Sequence, residues 1–200
     1  SGLSTRITLE SELRAALVSS DAFELYYQPQ ISYSRRVTIG MEALIRWRHP
    51  RHGLMGPDVF IPLAEETGLI VDISNWVIDN AVRQLAAWRK QGFTNLQLAI
   101  NLSPKDFEHS DLPERVLRCL ETHAVPAAAL EIEITENLLM RDAEKNINLV
   151  QQLRSHGLRV SIDDFGTRYS SLNYLRRFPI NSIKIDQSFV RDLHPTNHGS

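Results

Sequence analysis

The stretch Val160-Ser161-Ile162-Asp163-Asp164-Phe165-Gly166 carries two adjacent carboxylates at the end of an apolar, β-branched segment. Neighbouring residues on a strand point to opposite faces, so Asp163 and Asp164 diverge unless the strand ends there and the backbone turns. Gly166 permits such a turn. Two adjacent carboxylates also repel each other unless a cation offsets their charge. The stretch alone leaves two interpretations open: a metal site, or a solvated loop in which Asp164 caps the next helix.

Predicted strands and helices alternate over most of the chain. The strands are predicted at Phe23–Ile31, Val37–Trp47, Leu96–Leu102, Leu130–Thr135, Leu158–Asp163 and Ser182–Asp186. The helices are predicted at Leu9–Val18, Pro57–Thr67, Leu69–Gln91, Leu112–His123, Leu138–His156, Tyr169–Arg177 and Ser188–Leu193. The short link between the first two strands indicates an antiparallel hairpin. The later alternation predicts parallel strands joined by crossover helices.

The strands alternate apolar and polar residues, whereas the strands of a doubly wound parallel sheet are apolar on both faces. In the strand Leu130–Thr135, for example, aliphatic residues share one face, and Glu131 and Glu133 share the other. We expect a barrel whose apolar face packs on outer helices and whose polar face points inward. Buried charge inside it then needs pairing or a metal. The alternative, an open mixed sheet with one wet face, leaves the many helices poorly placed.

Oxygen ligands gather at or near the carboxyl ends of the predicted strands, where barrel enzymes carry their sites. They are Glu42, Asn101, Glu133, Asp163 and Asp164. The set contains no cysteine or histidine, so it suits Mg²⁺ or Mn²⁺ better than zinc or copper. Carboxylates from several strands suggest a two-metal site, which activates water for in-line displacement at phosphorus.

Further charged residues belong to the same ring of polar side chains. Lys184 could orient the attacking water or stabilise developing charge. Arg46 could clamp a phosphate oxygen, or instead pair with Glu42. Glu131 is expected to be a salt-bridged barrel residue and not a ligand. Asp186 by itself would more often be a helix cap.

The bulk composition suits one domain, with 42% hydrophobic and 23% charged residues among 200. A net charge of −2 provides no basic field for duplex nucleic acid. The single cysteine, Cys119, excludes an internal disulfide framework, predicts a cytoplasmic location and is interpreted as a helix-packing residue. Residues 1–20 are predicted as a lead-in helix, with Ser1-Gly2 interpreted as a cloning remnant, and residues 21–200 as the barrel domain.

The stretch Met41-Glu42-Ala43-Leu44-Ile45-Arg46-Trp47 resembles the signature of EAL domains, the phosphodiesterases of cyclic di-GMP. Six further stretches resemble family motifs at family-like spacing, and together they cover essentially the whole chain. They are Tyr27-Gln28-Pro29, Phe60-Ile61-Pro62-Leu63-Ala64-Glu65, Asn101-Leu102-Ser103, Glu133-Ile134-Thr135-Glu136, Asp163-Asp164-Phe165-Gly166-Thr167 and Lys184-Ile185-Asp186.

This resemblance implies an α/β fold, a modified TIM-like (β/α) barrel with an antiparallel first strand. It also implies hydrolysis of cyclic di-GMP to linear pGpG with two Mg²⁺ or Mn²⁺ ions, inside a larger bacterial signalling protein. By the same resemblance, Glu42, Asn101, Glu133 and Asp163 are similar to ligands of the first metal. Asp163 would bridge the two ions, and Asp164 would serve the second.

The resemblance also implies roles around the metals. Lys184 would hold the nucleophilic water, with Asp186 as its neighbour. Glu136 resembles the glutamate that steadies the loop after the two aspartates, a loop that the family couples to dimerisation and activity. The residues implied to contact the dinucleotide are Gln28, Leu44 and Arg46.

Two departures from the family pattern carry expectations of their own. Arg168 stands where the family usually has glycine, and its bulk could change loop mobility or dimer contacts. About six of the eight strands of a closed barrel are predicted, so the domain is expected to be C-terminally truncated or completed by another chain. The family's glutamate on the next strand has no counterpart, so little or no activity is expected from this chain alone. A non-catalytic cyclic di-GMP receptor and a dimerising module remain alternatives.

Overall fold

A computed structural model describes residues 2–19, 21–140, 142–166 and 176–191. Its helices are α1 Gly2–Val18, α2 Pro57–Thr67, α3 Ile70–Lys90, α4 Leu112–Thr122, α5 Glu136–Met140, α6 Ala143–Ser155 and α7 Gln187–Arg191. Its strands are β1 Phe23–Ile31, β2 Thr38–His49, β3 Gly53–Met55, β4 Gln97–Asn101, β5 Leu130–Thr135, β6 Arg159–Phe165 and β7 Ser182–Ile185. None of these helices has the length and apolarity required to cross a membrane.

The strands form one sheet in the order β1-β2-β4-β5-β6-β7, and β3 pairs with the end of β2. β1 runs antiparallel to β2, and each later neighbour along this order is parallel. The predicted modified barrel with an antiparallel first strand is therefore confirmed. Within the described residues, β1 and β7 each pair with one neighbour, so the sheet is open between them.

The apolar face of the sheet is sealed by helices, as the alternating pattern predicts. The aliphatic side chains that the central strands β4, β5 and β6 place on this face are fully buried, and each such burial stabilises the fold by about 1.5–3 kcal/mol. They include Leu98, Ile100, Leu130, Ile132, Ile134, Val160 and Ile162. The long helix α3 covers part of this face with residues such as Ile73 and Leu85, both buried. The other face, which carries the polar residues, is thereby left to form the site.

Parallel register sets the polar residues side by side at the carboxyl ends of the strands. Asn101 on β4 lies beside Glu133 on β5, and Thr135 lies beside Asp163 on β6. On the antiparallel side, Gln28 of β1 faces Glu42 of β2. Residues distant in sequence thus come to one level of the sheet.

The structure corrects the predicted elements at two places. The single helix predicted over Leu138–His156 is two helices, α5 and α6, and Asp142 before α6 has φ +42°. Aspartate tolerates this left-handed conformation better than most residues, and the conformation interrupts a regular helix. The three-residue strand β3 was not predicted, because its length is too short for a periodic signal. The predicted helix Tyr169–Arg177 falls largely outside the described residues, and Arg168 entirely so.

A candidate metal centre at the carboxyl ends of the strands

Three of the predicted acidic residues meet on the polar face of the sheet. One carboxylate oxygen each from Glu42, Glu133 and Asp163 lies within 4.8 Å of the others. Glu42 comes from β2, Glu133 from β5 and Asp163 from β6. Because three rigid strands supply these groups, their separation is set by the sheet and does not depend on a loop.

Lys184 of β7 lies between these carboxylates. Its ammonium donates hydrogen bonds to Glu42 Oε2 at 2.8 Å and Glu133 Oε2 at 2.7 Å, and lies 3.5 Å from Asp163 Oδ1. Burial lowers the pKa of Lys184, but its hydrogen bonds to Glu133 and Glu42 outweigh that effect and raise the pKa. The lysine therefore stays charged at neutral pH.

One ammonium does not balance the carboxylates that surround it. Burial raises the pKa of Glu133, the hydrogen bond from Lys184 opposes this, and the charge of Glu42 raises the pKa further. Glu133 is fully buried, so its charge receives little help from solvent. The centre therefore holds more negative charge than Lys184 neutralises, which favours an additional cation.

The ligand atoms fit a hard divalent cation. Glu133 Oε1 is buried and has no hydrogen-bond partner among the described residues. Such an atom is costly in a folded protein, and a cation bound there would satisfy it. Asn101 donates its amide N–H to Glu42 Oε1 at 2.9 Å, which brings its side chain to the same cluster. Carboxylate and amide oxygens are ligands that Mg²⁺ and Mn²⁺ accept.

The second aspartate of the pair, Asp164, lies within electrostatic range of the acidic cluster. Its φ of +54° turns the backbone away from a regular strand. Burial raises the pKa of Asp164, and the charges of Asp163 and Asp186 raise it further, so these three carboxylates lie close enough to interact.

The backbone after the two aspartates is held by Glu136. The amide N–H of Gly166 donates to Glu136 Oε2 at 3.0 Å, and Glu136 is buried. Gly166 has φ +97°, and a Cβ there would lie 2.7 Å from the ring of Phe189. The left-handed conformation favours glycine at this position, and a Cβ would also have to displace the Phe189 ring.

Other predicted residues occupy different surroundings. Asp186 accepts hydrogen bonds from the backbone and hydroxyl of Ser188, which lower its pKa, so its contacts are those of a helix cap. Its proposed place beside Lys184 stays a prediction. Glu131 pairs with Arg159 at 3.0 Å, and the expected salt bridge is confirmed.

The residues implied to contact substrate lie around the cluster. The Arg46 guanidinium donates a hydrogen bond to the backbone carbonyl of the preceding residue, Ile45, and lies 5.3 Å from the ring centre of Tyr26. Among the described residues, Arg46 therefore does not form the alternative ion pair with Glu42. Leu44 and Asn101 line a cleft of about 440 Å³ at the edge of the site.

The lining of this cleft includes a polar network of Glu65, Ser74 and Ser103, for which no role was predicted from sequence. Ser103 donates its hydroxyl to Glu65 at 2.6 Å and its backbone N–H to Asp106 at 3.0 Å. Ser74 donates to the same Asp106 carboxylate at 2.7 Å, and Asp106 is fully buried. Glu65 and Ser103 do fall in stretches with family resemblance, which was the available signal for them.

The sequence matches the EAL domain family model over residues 10–199. It is 44% identical over 188 residues to the bifunctional diguanylate cyclase/cyclic di-GMP phosphodiesterase MucR of Pseudomonas aeruginosa, covering 94% of this chain and 27% of MucR. It is 44% identical over 186 residues to the cyclic di-GMP phosphodiesterase PA2567 of the same bacterium, covering 93% of this chain and 32% of PA2567. This chain thus spans about a third of the length of these relatives or less.

Solved structures agree with the sequence match. The MucR phosphodiesterase in complex with c-di-GMP superimposes with a TM-score of 0.88 at 44% identity, over 92% of this chain and 74% of that chain. The FimX EAL domain from Pseudomonas aeruginosa bound to c-di-GMP gives a TM-score of 0.80 at 28% identity, over 91% of this chain and 72% of that one. From sequence and fold together, this chain belongs to the EAL domain family.

Proposed function

We propose that this chain is a cyclic di-GMP phosphodiesterase domain, which hydrolyses one phosphodiester bond of cyclic di-GMP to give linear pGpG. The observation that carries the proposal is the meeting of Glu42, Glu133 and Asp163 around Lys184 in a chain of the EAL family. Relatives that are themselves named cyclic di-GMP phosphodiesterases, at 41% to 44% identity, support it.

The cofactor in this proposal is a pair of Mg²⁺ or Mn²⁺ ions. Bound there, divalent ions would lower the pKa of water and neutralise charge on the phosphodiester. Glu42, Asn101, Glu133 and Asp163 would hold the first ion. Asp163 would be shared with the second, and Asp164 would complete that second position. The buried, unpaired Oε1 of Glu133 supports this assignment, because it needs a cation that the described residues do not supply.

The protein's own groups would orient the reaction. Two N–H groups of Lys184 are engaged by Glu42 and Glu133, so the ammonium is fixed and its third N–H can hold a water in line with phosphorus. The water oxygen would form a new bond to phosphorus while the bond from phosphorus to one ribose oxygen breaks, and the proton lost by the water would pass through solvent to that leaving oxygen. Gln28, Leu44 and Arg46 would contact the dinucleotide. The register of Gln28 against Glu42 supports that role for Gln28.

A second copy of the chain is the proposed partner, either as a homodimer or through completion of the open sheet. Apolar side chains around β7 support this, since Ile185 is 65% exposed, Phe189 51% and Ile183 39%. The domain is proposed to act in the cytoplasm as part of a larger signalling protein, because its relatives are several times longer.

The proposal is tested by incubating the chain with cyclic di-GMP and Mg²⁺ or Mn²⁺ and quantifying pGpG by chromatography. Turnover should depend on metal, and Glu42→Ala should abolish it. Glu144→Ala, which removes an exposed carboxylate paired with Arg177, is the matched control and should retain the rate. Equal and measurable metal-dependent rates for Glu42→Ala and the parent chain would refute the site assignment.

Calorimetric titrations with Mn²⁺ and with cyclic di-GMP separate the alternatives. Binding of the dinucleotide without turnover would favour a receptor, and neither binding nor turnover would favour an interaction module. The same assay tests the prediction that the chain alone is poorly active, by comparing its turnover rate with that of a longer chain. Robust turnover that is independent of protein concentration would contradict that prediction.

A further inference from the structure

A second group of metal-ligand side chains lies in the outer helical layer and shares no residue with the acidic cluster. Asp79 comes from α3, and Cys119 and His123 come from α4 and its C-terminal cap. One ligand atom from each lies within 4.8 Å of the other two. We propose that Asp79, Cys119 and His123 form a zinc site.

The backbone sets the three side chains in position. Cys119 and His123 are four residues apart, so they lie one above the other on the same face of the helix. His123 Nε2 is 3.4 Å from Asp79 Oδ1. The thiol of Cys119 reaches the Ile78 carbonyl, next to Asp79, at 3.9 Å. Tetrahedral zinc with ordinary bond lengths places neighbouring ligand atoms about 3.4–3.6 Å apart. Small side-chain rotations would therefore close the site.

The ligand types select a different metal from the acidic cluster. A thiolate, an imidazole and a carboxylate suit zinc or cobalt, whereas the oxygen-only cluster suits magnesium or manganese. Three protein ligands leave one position of a tetrahedral ion for water. A cleft of about 270 Å³ provides space for it; besides the three ligands, the cleft is lined by Asn75, Ile78, Arg115, Arg118 and Thr122.

The charges around the three ligands include the guanidinium groups of Arg83, Arg115 and Arg118 and the carboxyl end of α4. His123 caps the carboxyl end of α4, where the helix dipole is negative. Arg83 pairs with Asp79 Oδ2 and leaves Oδ1 facing His123. Arg115, which also lines the cleft, donates to Asn75 and lies 4.0 Å from Asp106, so its charge is partly balanced elsewhere.

The thiol of Cys119 has to lose its proton when zinc binds. Burial and the charge of Asp79 raise the pKa of this thiol to about 11, although the charge of Arg83 opposes the shift, and this argues against a reactive free cysteine. Displacing that proton costs binding energy, so the affinity should be below that of closed four-ligand structural sites.

Cobalt is the probe that tests the site, because a thiolate ligand gives Co²⁺ a near-ultraviolet charge-transfer band. Cys119 is the only cysteine of the 200 residues, so such a band can arise from no other residue of the chain. Titration of the EDTA-treated chain should saturate the band at one equivalent, and Zn²⁺ should displace the cobalt. Cys119→Ser should abolish the band. His123→Ala and Asp79→Asn should each weaken zinc binding at least about tenfold.

Two controls keep the result specific. His156→Ala removes a histidine that also caps a helix, α6, and should leave the band unchanged. Glu133→Gln, in the acidic cluster, should also leave it unchanged. Thermal unfolding in EDTA establishes that each variant folds. Absence of the band in the folded parent chain would overturn the proposal. A band of equal strength and affinity in both His123→Ala and Asp79→Asn would overturn it as well.

Discussion

Lys184 Nζ lies 2.7 Å from Glu133 Oε2, and that carboxylate is fully buried. The same ammonium also donates to Glu42, so one lysine bonds two glutamates that come from strands far apart in the chain. Truncating a buried ion pair on one side costs more than the pair itself contributes, because it leaves an uncompensated charge. The lysine therefore has a structural consequence that can be measured separately from catalysis.

Lys184→Met should lower the free energy of unfolding by about 3 kcal/mol in EDTA, because Glu133 loses its cation. Urea denaturation measures this. Lys105→Met is the matched control, since Lys105 makes an exposed bond to Glu108 and its loss should cost less than about 0.5 kcal/mol. Mg²⁺ should stabilise Lys184→Met more than the parent chain by supplying the missing charge. Equal stability of the two methionine variants would contradict the prediction.

Glu133 and Glu131 lie two residues apart on the same face of β5 but have different surroundings. Glu133→Gln should reduce metal-dependent turnover at least about 100-fold and weaken Mn²⁺ binding in calorimetry, since it removes a proposed ligand. Glu131→Gln breaks a salt bridge to Arg159 and should cost about 1 kcal/mol of stability while leaving Mn²⁺ affinity within threefold. A comparable loss of Mn²⁺ affinity in both variants would contradict the assignment of Glu133 as a metal ligand and of Glu131 as a salt-bridge residue.

The alternating pattern of the strands was sufficient to predict most of the fold. Each aliphatic residue of Leu130–Thr135 is buried under helices, and the opposite face carries Glu133, because a period of two leaves no other arrangement. Barrel enzymes carry their sites at the carboxyl ends of the strands, and this location predicts that Glu42, Asn101 and Asp163 lie near Glu133. These predictions depend on periodicity and topology, which a sequence displays directly.

Other features depend on contacts that no local pattern encodes. The break at Asp142 lies within a continuous helical pattern, and the buried Asp106 network joins residues from separate elements. Cys119 and His123 carry helical spacing, but their approach to Asp79 is set by how α3 packs on α4. Cys119 itself packs against the core, as its interpretation as a helix-packing residue predicts.

Gly166 lies two residues after Asp164, and any side chain at this position should destabilise the fold. Gly166→Ala should cost about 2–3 kcal/mol, because φ is +97° and the new Cβ would meet the Phe189 ring. Gly92→Ala, at φ +99° with no atom within 4 Å of its Cβ, isolates the backbone part and should cost about 1 kcal/mol. Urea denaturation gives both values.

A double variant separates the steric part of that cost. Phe189 is half exposed, so Phe189→Ala alone should change the free energy of unfolding little. In the Gly166→Ala background, the same substitution should restore about 1 kcal/mol of the lost stability. If the two substitutions are strictly additive, the ring does not restrict residue 166.

Asp106 should make stability depend on pH in a direction opposite to that of most carboxylates. It is fully buried, and burial raises its pKa from 3.8 to about 6, although hydrogen bonds from Ser74 and Ser103 oppose the shift. Since the folded state binds the proton more tightly, this contribution is complete below about pH 4 and is lost as pH rises through 6, amounting to about 3 kcal/mol. Asp106→Asn keeps an acceptor for Ser74 and removes the titration. Its free energy of unfolding, relative to the parent chain, should therefore rise by about that amount between pH 4 and 7.5 in urea titrations. A constant difference, or one that falls with pH, would show that the nearby Arg115 guanidinium, 4.0 Å away, keeps Asp106 ionised.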